Sequence, residues 1–175
     1  VDEFEQELAE YTGIKKAVAV SNGTAALHIC YYLAGVGAGD EVLCPSITFV
    51  ATANAIKYLG ATPHFVDCEA ETLAVCPEKL REYLRKNYSK KMKALVVTHI
   101  FGHPAKLNEI RAICDEFGIV MIEDIAEALG SFYNGKHVGN VGHFAALSFN
   151  GNKIITTGGG GAVLTNDEKM GVKAK

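Results

Sequence analysis

The sequence predicts an α/β domain with a mostly parallel sheet, one antiparallel strand in it, and helices on its faces. Three observations carry that prediction. Short β-branched and apolar runs alternate with longer runs whose apolar residues recur at helical spacing, the pattern of βα units. Glycine and proline fall at the joins between runs. The chain has 175 residues, 49% of them hydrophobic, enough to bury one substantial core, and no repeat or low-complexity linker divides it. Residues 1–175 are therefore assigned to a single domain.

Residues 2–11 make a helix, acidic on its outer face, ahead of a strand at 17–20. A helix over 24–33 is stopped by Gly35, Gly37 and Gly39, and a strand follows at 41–44. The helix at 49–59 ends at Gly60, before a strand at 62–66. Pro77 stands where the helix over 78–87 begins, and Pro104 just ahead of the one over 106–117, which Gly118 closes. Strands at 94–99 and 119–122 flank that last helix. Two more, at 144–149 and 162–165, are joined through the glycine-rich 157–161, which is too short for a helical crossover. They pair as a hairpin and make the sheet mixed.

A net charge of -3 gives no electrostatic case for nucleic acid, and the densest basic cluster, Lys90-Lys91-Met92-Lys93, reads as a solvated turn before a strand. No apolar stretch approaches the ~18 residues of a membrane span, and the first residues lack a signal peptide's basic start and apolar core, so a soluble, cytoplasmic protein is expected. The five cysteines are scattered, odd in number and without C-x-x-C spacing; they read as reduced packing residues.

Open α/β sheets bind ligands at the carboxyl ends of their strands. Those ends carry residues 21–24, 45–49, Asp67, 99–103, 124–127 and 148–153, where most polar residues in apolar neighbourhoods fall, although loop composition alone would also make this edge polar. Lys153 lies between two strands among small and hydroxyl residues and ahead of Gly158 to Gly161, a place to hold an aldehyde as a Schiff base. Asp124 closes the apolar run 119–123, a place to hold a pyridinium N–H. Together they point to pyridoxal phosphate chemistry. Alone, Lys153 reads equally as a solvated lysine, and Asp124 as a helix cap or a magnesium ligand.

The stretch Ser21-Asn22-Gly23-Thr24 leads from a strand into a helix, so the amides of Gly23, Thr24 and Ala25 suit a phosphate; a plain N-cap is the alternative. It has neither G-x-G-x-x-G nor Walker spacing, which speaks against a dinucleotide or nucleoside triphosphate. Phe49 lies flat on a cofactor ring or packs into the core, and Ser148 binds phosphate or fills a small site. His99 and His103 bracket a strand end without further evident metal ligands, so structural roles are the default.

Taken in order, these motifs resemble the DegT/DnrJ/EryC1/StrS family of pyridoxal-phosphate-dependent nucleotide-sugar aminotransferases. The likeness runs through the Phe4-Glu5 helix, residues 21–28, 45–52, Asp67, 99–104, 123–130, 135–142 and 148–161. Residues 148–161 look most like the subgroup that aminates UDP-4-keto-6-deoxy sugars toward legionaminic-type acids. The resemblance implies the large domain of the type I transferase fold, with pyridoxal 5'-phosphate as cofactor and Lys153 as Schiff-base lysine and proton carrier. By the same resemblance Asp124 pairs with the pyridine nitrogen, Phe49 stacks on the ring, Gly23, Thr24 and Ser148 hold the phosphate, and Glu127 approaches the phenolic oxygen. It also implies a nucleotide-linked keto sugar and glutamate as substrates, and a homodimer. The family more often carries Gln or His at the place of Glu127, and Gly-Glu-Gly-Gly where this chain has Gly158-Gly159-Gly160-Gly161. Family members are about twice this length, so a piece of a longer enzyme without its small domain is expected. Other readings are a fragment without turnover, a cyclitol aminotransferase, or a sugar dehydratase, the last opposed by the intact Lys153.

Overall fold

The computed structural model describes residues 1–175. The chain runs α1 (Asp2–Thr12), β1 (Lys16–Val20), α2 (Gly23–Leu33), β2 (Glu41–Pro45), α3 (Val50–Tyr58), β3 (Thr62–Val66), α4 (Pro77–Asn87) and β4 (Met92–Thr98). After a 3-10 turn at Ile100–Gly102 come α5 (Leu107–Phe117), β5 (Val120–Asp124), a small hairpin of β6 (Phe132–Tyr133) and β7 (Lys136–His137), then β8 (Phe144–Ser148), β9 (Gly161–Thr165) and α6 (Glu168–Ala174).

Seven strands form one sheet in the order β1-β9-β8-β5-β4-β2-β3. Strand β9 runs antiparallel to both of its neighbours, and the pairs β8–β5, β5–β4, β4–β2 and β2–β3 are parallel. The expected mixed sheet and the β8–β9 hairpin are both present. Strands β8 and β9 are buried along their whole length, as strands covered on both faces must be. Alternate residues of β4 feed two cores: Leu95 and Val97 pack with α4 and α5, Ala94 and Val96 with α2 and α3.

Helix ends follow local chemistry. Pro77 occupies the first turn of α4, and Gly118 closes α5 in the left-handed conformation at φ 66°. The side chain of Asn22 caps α2 by accepting from Ala25 N at 2.8 Å. Three elements were not expected from the sequence: the β6–β7 hairpin, the 3-10 turn and α6. Two-residue strands and a seven-residue helix are too short to show a period. All five cysteines are free thiols and four are buried, with burial pushing Cys44 and Cys114 up to about 12. No helix is long and apolar enough to cross a membrane.

Candidate active site

The carboxyl ends of β4, β5 and β8 and the starts of α2 and α3 converge on one cleft of about 280 Å³. Its walls include all seven residues expected from the sequence: Gly23, Thr24, Phe49, Asp124, Glu127, Ser148 and Lys153. Asn22, Thr98, Ile100, Asn150 and Asn152 also line it. Asp67 and the histidines do not. Asp67 pairs with Lys79 at 2.8 Å on the surface, and His103 is exposed. His99 is buried against Glu123 and Ala105 N, and no cluster of three metal-ligating side chains exists.

Asp124 ends β5 with 4% of its surface exposed. Its Oδ2 accepts from Thr52 Oγ1 at 2.8 Å and its Oδ1 from Ala126 N at 3.2 Å; no cation lies within ion-pair distance. Burial pushes its carboxyl above the usual range, and the Thr52 and Ala126 hydrogen bonds with the nearby charges of His99 and Lys153 only partly oppose this. The result is a desolvated carboxyl group facing the cleft, with no cation at ion-pair distance.

Lys153 lies in the loop 149–160 between β8 and β9, its side chain only 12% exposed. Its Nζ is 3.7 Å from Glu127 Oε1 and 5.7 Å from the centre of the Phe49 ring. Ile154 and Ile155, which follow the lysine in the chain, are 60% and 56% exposed, so Phe49 and Glu127 are the neighbours that matter. Glu127 Oε2 accepts from Phe101 N at 3.0 Å, and Phe101 sits at φ 51°, left-handed for a non-glycine residue.

The start of α2 is built for close approach. A Cβ on Gly23 would come within 2.7 Å of Ser148 Cβ, and one on Gly161 within 2.5 Å of the Asn22 carbonyl carbon. Glycine at both places lets the Asn22 turn press against the ends of β8 and β9. Asn22 caps Ala25 N, while the amides of Gly23 and Thr24 precede the first intrahelical acceptor and stand at the cleft wall with the helix dipole behind them.

Residues 1–175 match the DegT/DnrJ/EryC1/StrS aminotransferase family. The chain belongs to that family. Among its relatives, EpsN of Bacillus subtilis (strain 168), named for a pyridoxal phosphate-dependent aminotransferase, is 47% identical over 177 residues, covering 100% of this chain and 46% of EpsN. The GDP-perosamine synthase of Escherichia coli O157:H7 is 42% identical over 170 residues, covering 97% of this chain and 46% of that enzyme. The crystal structure of an aminotransferase from Psychrobacter cryohalolentis superposes with a TM-score of 0.93 at 39% identity, over 99% of this chain and 43% of that one. The chain thus spans about half the length of the curated relatives it matches.

Pyridoxal phosphate is the family's cofactor, and the DegT/DnrJ cleft fits such a group on its own geometry. It offers a half-enclosed amine at Lys153, a buried carboxylate without a cation at Asp124, and a helix start kept open by glycine for an anion. Sequence reasoning missed Thr52, Thr48 and Thr98. Thr52 lies in the first turn of α3, three residues past Phe49, but its partner Asp124 is 72 residues away, beyond any local pattern.

Proposed function

We propose that the whole protein is a pyridoxal phosphate-dependent aminotransferase that moves an amino group from glutamate to a keto carbon of a nucleotide-linked deoxy sugar. One observation carries the reading: Lys153 Nζ stands in a cleft beside Phe49 and Glu127, and the same cleft holds the buried Asp124 carboxyl group. When bound, pyridoxal phosphate supplies an aldehyde for an amine and a ring that takes up the electron pair released at the substrate carbon.

The chain's own residues do the rest. Lys153 Nζ would hold the aldehyde and, when free, would carry the proton at the reacting carbon. Asp124, buried and dry, would keep a proton on the ring nitrogen. Phe49 would cover one side of the ring. Gly23 and Thr24 would bind phosphate through backbone amides and Ser148 through its hydroxyl. Glu127, anchored on Phe101 N, would meet the phenolic side.

The names of relatives such as GDP-perosamine synthase support a nucleotide-linked sugar. Within that class we favour UDP-4-keto-6-deoxy sugars of the legionaminic type, from the likeness of residues 148–161, in cell-surface polysaccharide synthesis. A cytoplasmic homodimer completes the reading.

Borohydride reduction after incubation with pyridoxal phosphate tests it. A phosphopyridoxyl mass on the peptide carrying Lys153, absent from Lys153→Ala, is the expected result; a label on another lysine, or none, overturns the site. Holoprotein given glutamate should then convert UDP-linked 4-keto-6-deoxy sugars faster than GDP-linked ones. Preference for GDP removes the legionaminic-type assignment, and turnover of neither removes the sugar.

A further inference from the structure

Behind Asp124 lies a chain of three threonine hydroxyls. Thr98 Oγ1, at the end of β4 and in the cleft wall, is 3.0 Å from Thr48 Oγ1; Thr48 Oγ1 is 2.9 Å from Thr52 Oγ1; Thr52 Oγ1 is 2.8 Å from Asp124 Oδ2. Thr52 is fully buried, and Tyr31 Oη pins its carbonyl at 3.1 Å. Thr98 and Asp124 are paired across β4 and β5, so the chain closes a loop between two strand ends and the first turn of α3.

The carboxylate sets the direction of this chain. Each hydroxyl has one proton and an ionised carboxylate can only accept, so Thr52 donates to Asp124. Thr48 must then donate to Thr52, and Thr98 to Thr48. Hydrogen bonds in series polarise one another, and the last one strengthens the anion. A lysine or arginine in the place of Thr52 would also hold the carboxylate but would cancel its charge. Neutral donors orient it and leave the full negative charge for a cationic group arriving from the cleft.

We propose that Thr52, backed by Thr48 and Thr98, is a positioning residue that keeps the Asp124 carboxylate ionised and aimed at the cleft for a protonated ring nitrogen. The ring nitrogen rests on the cofactor reading above; the effect on Asp124 does not. The bases that face Asp124 are Lys153 and His99, and Cys30, Cys44 and Tyr31 on α2 and β2 approach it as neutral groups.

The test compares Thr52→Val with Thr52→Ser in the whole protein, with two readouts. In cofactor-free protein, the infrared carboxyl band assigned with Asp124→Asn gives the pH of Asp124 protonation. In cofactor-loaded protein, absorbance titration gives the pyridoxal phosphate affinity. Thr52→Val should raise the protonation midpoint by about one unit or more and weaken cofactor binding roughly tenfold, the loss of one hydrogen bond to a charged group. Thr52→Ser should stay within about twofold of wild type in binding, since it keeps the hydroxyl. If Thr52→Val does not fold, Thr48→Val breaks the chain one link earlier and should act in the same direction with a smaller effect.

An unmoved midpoint with unchanged affinity overturns the proposal, as does Thr52→Ser behaving like Thr52→Val, which would assign the effect to the methyl group. A shifted midpoint in a protein that never binds pyridoxal phosphate sustains the hold on Asp124 and defeats the cofactor reading.

Discussion

Glu123 and Asp124 are consecutive residues of β5, both buried, and they are treated in opposite ways. Side chains alternate along a strand, so the two leave the sheet on different faces. Glu123 Oε1 accepts from Val141 N at 3.0 Å and Gly142 N at 2.5 Å, and Oε2 from Gly139 N at 2.8 Å and His99 Nε2 at 3.0 Å. His99 Nδ1 accepts from Ala105 N, which leaves Nε2 as the donor. Burial pushes the Glu123 carboxyl up, but His99 and the amides of Gly142 and Gly139 more than reverse it, and it lies below the usual range. Asp124 has two neutral donors, and burial wins. A carboxylate with four donors is finished and serves as scaffold, here fastening residues 139–142 to the sheet. One with two donors and no cation is waiting for a ligand.

The largest expected effect comes from removing the finished one. Glu123→Ala strands the buried His99 and Gly139 amide and the half-buried amides of Val141 and Gly142, and should cost about 3–5 kcal/mol in a urea melt. A loss below about 1 kcal/mol would erase the distinction between the two acids. The pH signs differ as well. The folded pKa of Glu123 is depressed from 4.5, so its contribution is complete above about pH 4.5 and drains as the pH falls through the lower folded value. Glu123→Gln should therefore flatten the acid limb of the stability profile.

Asp124 runs the other way. Its folded pKa is raised above 3.8, so ionisation costs stability as the pH climbs through that raised value. Cofactor-free Asp124→Asn should match or exceed wild-type stability at neutral pH by about 1 kcal/mol, while losing most of its affinity for pyridoxal phosphate. Destabilisation of the cofactor-free variant by more than about 2 kcal/mol would place Asp124 with the scaffold.

How much of this pair was legible follows from where the partners come from. The end of an apolar strand marks Asp124 locally, and Lys153 and the Asn22-Gly23 turn carry their own local signals, so these members of the cleft were readable, whereas Glu127 was reached only through the family resemblance and Thr98 not at all. The division of labour was not. Three of Glu123's donors arrive from residues 16 to 19 positions downstream and the fourth, His99, from just past the end of β4, while Thr52 reaches Asp124 across 72 positions. The same limit applied to the sheet. The glycine-rich link announced that β8 and β9 pair, yet nothing local said that β1 would close on the far side of β9.

Glu127 offers the finest test of the comparison because it stands between the two cases. Its Oε2 is occupied by Phe101 N at 3.0 Å, its Oε1 lies 3.7 Å from Lys153, and its side chain is 36% exposed. Solvent screens such a pair, so charge alone should matter little. Glu127→Gln keeps a carbonyl oxygen for Phe101 N–H and should change stability by less than about 0.5 kcal/mol and the rate of borohydride-trapped labelling of Lys153 by less than about threefold. Glu127→Ala releases Phe101 from its left-handed conformation and should slow labelling more than glutamine does. If glutamine slows labelling as much as alanine does, the negative charge facing Lys153 is the working part of Glu127, and a partly exposed carboxylate then belongs with Asp124 despite lacking the burial that sets Asp124 apart.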